Sequence, residues 1–386
     1  MRAALRQSRR IWTVSTGPLC HRQRPFARIV VGRCGRHHHH GGSSLRRGSG
    51  RVKILVLNCG SSSVKYELHD VSQHRALAQG VIDRIGEVGE VLTAPRGEVA
   101  VVEPAGVRVR DHGEALELVI ARLLAPDSGA LKDLGEVAAV GHRVVHGGAR
   151  FSSAVRVTPE VMSAIEECAT LAPLHNPPAL VGIKEAMRLL PGVPQVAVFD
   201  TAFHSTLPPR AHVYALPYSY YEQHGLRRYG FHGLSYQYVS RRLDESLGGR
   251  LRELKVVIAH LGNGASITAL ADGRSVDTSM GLTPLEGLMM GSRGGDLDPG
   301  LLLFLMREQG LSVEELNNLL NHGSGLLGLS GRSNDMRDIL AGVAEGDERC
   351  RLAFDAYCYR IKKYVGAYAA VLGGLDVLVF TGGVGE

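Results

Sequence analysis

Strand-patterned segments alternate with helix-patterned ones along this chain, and that alternation predicts an α/β layer fold. Two strand–turn–strand segments, Lys53 to Leu68 and Val256 to Leu270, resemble each other, and each opens a half of the chain. Duplicated halves of this kind are expected to face each other across a cleft. A third glycine-rich turn, Thr381 to Glu386, follows the apolar run Val377 to Phe380. Glycine removes the Cβ that would keep phosphate oxygens away from backbone N–H groups, so three such turns at strand ends predict a nucleotide site.

The 386 residues, 44% of them hydrophobic and 5% aromatic, are enough for two cores. No uncharged apolar run reaches the roughly 18 residues that suggest a membrane helix. The six cysteines are far apart and lack a C-x-x-C pair, which argues against a zinc site or disulfide framework and fits a reducing, cytoplasmic setting. The net charge of +6 is misleading, because residues 1–51 hold twelve arginines, no lysine and no acid, leaving a body of −6. Such a body is not expected to bind nucleic acid. The leader continues through His37 to His40 into a Gly-Gly-Ser-Ser stretch that resembles a linker or tag. Its composition predicts a disordered extension before a natural start near Val52, with organelle targeting as the alternative.

From Val52 to Thr201 the apolar runs 53–57, 64–68, 137–140 and 193–199 read as strands, and 159–171 and 178–190 show helical spacing. A Pro- and Tyr-rich stretch, 207–221, separates these from the second half. There 256–261, 267–270 and 377–380 read as strands, and 301–307, 313–320 and 355–372 as helices. The predicted domains are therefore 52–201 and 202–386.

Several motifs carry chemistry. Ser61, Ser62, Ser63 and Lys65 place hydroxyl and ammonium donors beside Gly60. Arg143, flanked by His142 and His146 and closed by Gly147-Gly148, sits where an apolar strand ends, a place suited to docking carboxylate or phosphoryl oxygens. Arg293 lies on a second glycine-rich loop, Gly291 to Gly300. Two such arginines suit a reaction that spreads negative charge over a transferring phosphoryl group. Asp200 closes the strand 196–199, as a metal- or ligand-facing carboxylate or a helix cap. His175 and His232 occupy Gly/Pro-rich loops as candidate donors. Ser333 to Asp338 reads as a capping turn. No Gly-x-Ser-x-Gly elbow supplies a nucleophile.

Taken in order, Leu57 to Ser63, Gly141 to Gly148, Ala172 to Pro178, Phe199 to His204, Arg228 to Gly233, His260 to Gly264, Met280 to Gly287 and Gly291 to Gly300 resemble the acetokinase family, of the acetate and sugar kinase, heat-shock ATPase and actin superfamily. The resemblance runs from Val52 to Glu386. It implies two duplicated ribonuclease-H-like, actin-like ATPase domains facing each other across a nucleotide cleft, the second incomplete at its C-terminus. It also implies reversible transfer of the ATP γ-phosphoryl to acetate with Mg²⁺, in a homodimer. By the same resemblance Asn58 is the metal ligand. Lys65, the segment His260, Leu261, Gly262, Asn263 and Gly264, the turn Asp335, Met336 and Arg337, and the loop Gly383, Val384, Gly385 and Glu386 bind the nucleotide. Arg143 and His175 hold substrate. Val145, Leu174, Phe231 and Pro284 form the acyl pocket, and Asp200, His232 and Arg293 are catalytic with Arg143. Tyr236 departs from the family, which usually has a histidine there. The family also continues past the Gly-x-Gly-Glu loop with a further glutamate that helps place the metal, and an absent tail would leave the last strand's edge bare. Propionate or butyrate kinase, and an inactive nucleotide-binding remnant, are the alternatives.

Overall fold

Two sheets carry the chain, which this computed structural model describes over residues 28–31, 52–86, 90–94, 101–103, 109–126, 130–173 and 175–385. The described residues form two compact units. The first comprises 52–205 and Pro217–Leu234, and the second Thr206–Leu216 and 235–385 together with the strand Arg28–Val31, labelled β1.

The first unit opens with β2 (Lys53–Cys59), which buries Leu55, Leu57 and Cys59 on one face and turns Asn58 to the other. It pairs antiparallel with β3 (Val64–Asp70) from Lys53↔Asp70 to Cys59↔Val64, and Gly60 N–H closes the four-residue turn on Ser63 O at 2.8 Å. The sheet is completed by β4 (Arg75–Asp83), β5 (Glu90–Ala94), β6 (Val101–Glu103), β7 (Val137–Val144), β8 (Val155–Arg156) and β9 (Gln195–Phe199), in the order β6-β5-β4-β3-β2-β7-β9-β8. Strands β2, β7 and β9 are parallel neighbours, so their carboxyl ends share one edge. Three helices, α1 (His112–Leu124), α2 (Pro159–Glu167) and α3 (Asn176–Leu189), supply the apolar side chains that cover this sheet. The chain then contributes α4 (Pro209–His212) to the second unit and α5 (Ser219–His224) to the first.

The second unit contains α6 (Gly233–Ser246) from its third residue, and the strands β10 (Val256–Leu261), β11 (Ala265–Ala271), β12 (Arg274–Thr278) and β13 (Val377–Thr381). Between β12 and β13 come α7 (Pro299–Glu308), α8 (Val313–His322), α9 (Gly325–Ser330), α10 (Met336–Glu345) and α11 (Glu348–Leu372). The sheet runs β12-β11-β10-β13-β1, repeating β4-β3-β2-β7-β9: an antiparallel hairpin, a third antiparallel strand, and two parallel strands beyond. The repeat suggested by the two hairpins is thus a repeat of topology.

Within the leader, where composition predicts disorder, Arg28–Val31 pairs in parallel with β13 from Arg28↔Val377 to Val31↔Phe380. The edge of β13 expected to be bare therefore has a strand on it. The sequence Arg-Ile-Val-Val has the β-branched character that such an edge accepts. The helix expected over 159–171 ends at Glu167 and tightens into a 3-10 turn over Cys168–Thr170, ahead of Pro173, whose ring disfavours helical geometry in the residue before it. The helix expected from 355 begins at Glu348, because the Asp347 side chain caps Arg349 N–H and Cys350 N–H.

On α3, Gly182 lies directly against the Cys59 sulfur, and a Cβ there would overlap it. Gly182→Ala is expected to cost about 1–3 kcal/mol through overpacking. In urea unfolding, Cys59→Ala should then cost less in the Gly182→Ala background than alone, a coupling that a double-mutant cycle reads directly.

Candidate active site

Parallel pairing brings three predicted residues together. Asn58 and Arg143 each lie one residue before the end of their strands, β2 and β7, and Asp200 follows β9, with Asp200 N–H bonded to Val144 O at 3.1 Å. Arg143 grips Asp200 with two bonds, Nε to Oδ1 at 3.2 Å and Nη2 to Oδ2 at 2.6 Å, and donates Nη1 to Asn58 Oδ1 at 3.4 Å. The Asp200 side chain is 2% exposed and that of Arg143 34%. Burial pulls the arginine's pKa down, but the charge and hydrogen bonds of Asp200 more than offset this and leave it raised. The guanidinium thus stays charged, with the edge bearing Nη1 directed away from the carboxylate it already holds. Lys65 stands opposite Asn58 in the hairpin register and is exposed. Directly paired residues share a sheet face, so its ammonium lies on the Asn58 side.

The loop after β7 is held by a residue not singled out from sequence. Fully buried Asn176 accepts from His146 N–H at 3.1 Å and donates to His146 O at 2.9 Å and to Ile165 O at 3.1 Å. The His146 ring meets Tyr229 and Phe231 edge-on, with centroids 4.6 and 5.6 Å apart. The only sequence signal for Asn176 was its place between His175 and two prolines. His175 caps the start of α3 with its backbone position. Val145 and Phe231 are buried, and Leu174 lies outside the described residues.

His232 is one of the few non-glycine residues with left-handed backbone, φ 58°. Its neighbour Gly233 explains how this is kept: Gly233 N–H bonds to Asp200 O at 2.9 Å, and a Cβ on Gly233 would overlap that carbonyl. Strained backbone of this kind persists where the surroundings over-determine it, and it concentrates at functional sites. The aspartate that Arg143 holds by its carboxylate therefore also fixes, through its backbone carbonyl, the turn that carries His232.

In the second unit, β10 and β13 are parallel with His260↔Thr381 in register, so the second and third glycine turns leave the same sheet edge side by side. Val384 N–H donates to Leu261 O at 2.9 Å, and Gly382, at φ 86°, passes so close to Leu261 that a side chain would meet its backbone. Gly262 N–H closes on Gly264 O at 3.1 Å, and Gly291 N–H on Asn263 O at 2.9 Å. The His260 ring exchanges a hydrogen bond with Ser235 Oγ at 2.8 Å. A cavity of about 500 Å³, walled mostly by apolar side chains, has Leu261, Met336, Tyr357, Ile361, Val384 and Gly385 in its lining. Three of the expected nucleotide-binding segments thus meet around one cavity. Gly383 lies on the same turn, and Glu386 lies outside the described residues.

Asp335 caps α10, as the capping turn predicts, and holds Arg337 by two contacts at 3.0 and 2.5 Å. The hydrogen bonds from Arg337 keep the Asp335 carboxyl down at about 2. Arg293 differs from Arg143. Its Nη1 donates to Pro284 O at 3.4 Å, burial lowers its pKa, and among the described residues no carboxylate pairs with it. A desolvated cation without a counter-ion is poised to meet an anionic ligand. Tyr236, at the position where the family usually has histidine, is fully buried, and its hydroxyl lies 2.5 Å from Ser266 Oγ. Burial pushes its pKa up, so it serves as a neutral core residue.

Glycine turns at the carboxyl edges of two topologically repeated sheets, with Arg143 at the first edge, Arg293 on the loop that Gly291 ties to the second, and no nucleophile elbow, define a phosphotransferase of duplicated ribonuclease-H-like fold. The acetokinase family model matches residues 53–386, and the chain belongs to that family. It is 53% identical to an acetate kinase of Bacteroides thetaiotaomicron over 87% of this chain and 84% of that one, and 54% identical to an acetate kinase of Thermotoga petrophila over 87% and 83%. Among solved structures, Porphyromonas gingivalis acetate kinase superposes with a TM-score of 0.82 at 50% identity, and a propionate kinase from Francisella tularensis with 0.81 at 41%. Both alignments cover 87% of this chain and 84% of the other.

His204, wholly buried, donates Nε2–H to Phe231 O at 3.0 Å, and burial drives its pKa from 6.5 to about 4. The unfolded chain therefore takes up this proton near its ordinary pKa, while the folded chain resists until about 4. Stability should be full above pH 6.5 and fall as the pH drops towards 4, by about 2–3 kcal/mol from this group. Burial lowers the pKa of His142 as well, and acts in the same direction. Urea unfolding at neutral and acid pH should show a shallower acid loss in His204→Gln than in the parent.

Proposed function

We propose that this chain is an acetate kinase, transferring the γ-phosphoryl of ATP reversibly to acetate. A carboxylate oxygen of acetate forms the new bond to phosphorus, the bond to the β–γ bridging oxygen breaks, and ADP leaves with that electron pair. The observation that carries this reading is the contact of Asn58, Arg143 and Asp200 at one strand edge, in a chain about 53% identical to acetate kinases. Direct transfer asks the protein for positioning and charge stabilisation rather than for a nucleophile, and this constellation offers both.

In this reading the Nη1 side of Arg143, turned away from Asp200, orients the acetate carboxylate, with His175 at the α3 start beside the Asn176 that holds the His146 backbone. The acyl pocket that the family resemblance implies, Val145, Leu174, Phe231 and Pro284, is assigned to the methyl group. Arg293 and His232 answer the charge on the equatorial phosphoryl oxygens. Adenosine takes the cavity lined by Met336 and Val384, with Asp335 and Arg337 at its approach, while Lys65 and the turn 260–264 attend the phosphates. The oxygen donors Asn58 and Asp200 suit Mg²⁺, a hard cation that usually reaches kinases on the substrate phosphates and takes only one or two carboxylates. Those two residues would hold it, and when bound it neutralises charge on the phosphates. A cytoplasmic homodimer belongs to the same reading.

A pocket shaped for a methyl group discriminates weakly, because one methylene is worth about 1–3 kcal/mol. Propionate, the substrate named for the Francisella tularensis relative, is accordingly expected to be a secondary acceptor. A coupled assay should rank acetate above butyrate; a tenfold preference for butyrate would sink the acetate reading. Arg143→Ala and Arg293→Ala should each lower kcat/KM by about 10²–10³, the range for removing one preorganised donor. An unchanged kcat/KM in either variant would remove that residue from the mechanism.

A further inference from the structure

Tyr214 lies in the short segment Thr206–Leu216 that belongs to the second unit, within the Pro- and Tyr-rich stretch 207–221 and outside the motifs that carry the family resemblance. Its hydroxyl engages both ends of one stretch of chain: it donates to Glu286 Oε2 at 2.6 Å and accepts from Leu282 N–H at 2.8 Å. Pro284 sits midway between those two anchors. Gly281 begins the loop, and a Cβ there would overlap both the Glu286 carboxylate and the Tyr214 hydroxyl, so the backbone at 281 is shaped around this pair. Gly281 N–H turns back onto Thr283 O at 3.2 Å, and Gly287, at φ 108°, ends the loop where a side chain would strike Ser279. Inside the loop, Pro284 O accepts the 3.4 Å bond from Arg293 Nη1.

A loop closed at both ends by one phenol has little freedom to move its central residue. From this geometry we propose that Tyr214 is a positioning residue for acyl selectivity: its hydroxyl fixes residues 282–286 so that Pro284 holds a constant depth against the acyl group and its carbonyl steadies Arg293. The proposal rests on the reading above in which Pro284 contacts the acyl group. Removing the hydroxyl leaves the aromatic ring in place but takes away the acceptor of Leu282 N–H and one contact of the Glu286 carboxylate, and the loop then yields to longer acyl chains.

The test compares Tyr214→Phe with Pro284→Ala in the full chain, measuring kcat/KM for acetate, propionate and butyrate together with the melting temperature. Tyr214→Phe should lower the acetate-over-butyrate ratio about tenfold, chiefly through a lower KM for butyrate, with the melting temperature close to that of the parent. Glu286→Gln, which keeps an acceptor oxygen for the phenol, should retain most of the ratio. Glu286→Ala repeats the measurement from the other side of the contact if Tyr214→Phe folds poorly. A ratio that holds in Tyr214→Phe but shifts in Pro284→Ala overturns the role of Tyr214 and leaves the pocket reading standing. A ratio that holds in both variants overturns the pocket reading and the proposal with it.

Discussion

The two-pronged grip of Arg143 on Asp200 is the interaction on which the first unit's site depends. A carboxylate 2% exposed is costly unless its charge is met, and the guanidinium fork meets it with two bonds. That arrangement requires β7 and β9 to lie side by side in parallel with Arg143 across from Val198, which places the two side chains at one edge. The same aspartate holds Val144 O through its N–H and Gly233 N–H through its carbonyl, so strand end, arginine and the strained His232 turn form one rigid body of bonds. Losing Arg143 would leave the Asp200 carboxylate buried and uncompensated, which is why this pair is both a structural strut and part of the candidate site.

The second unit solves a different problem, the close approach of backbone to backbone. Its glycine turns crowd against Leu261, Asn263 and Ser279, where any Cβ would collide. Packing of this kind ties the turns down, with Val384 N–H on Leu261 O and Gly291 N–H on Asn263 O, and holds them at the strand edge. Arg293, on the loop so confined, keeps its charge without a carboxylate partner among the described residues. The two arginines thus differ in kind: one is pre-paired and directional, the other is held ready for an anion.

Much of the fold was legible because period-two alternation and glycine turns are local signals. The hairpins at 53–70 and 256–271, the strands at 137–144 and 195–199 and the helices at 176–189, 299–308 and 313–322 fall where the sequence pattern put them, within a few residues. Segments missed had weaker patterns. In α6 the inward positions are Tyr236, Ser240 and Leu243, and the serine breaks the apolar stripe, its hydroxyl satisfied inside the helix by Tyr236 O at 2.6 Å. In α1 the capping Asp111 and the inward Leu116, Val119 and Leu123 were present, but were hidden among short apolar runs that suit a strand equally well.

The sequence by itself determined which residues could do chemistry and roughly which strand ends would carry them, because glycine, arginine and aspartate at strand termini announce themselves through local spacing, and the ordered motifs named the family. Tertiary structure alone decided how those groups are shared. That Arg143 spends two of its donors on Asp200, that Asn176 pins the His146 backbone from thirty residues away, and that one phenol at Tyr214 closes the loop around Pro284 are contacts between distant parts of the chain. No periodicity encodes them, because which side chain a buried donor finds depends on how the strands and helices pack, and packing is set by the whole sheet rather than by neighbours along the sequence.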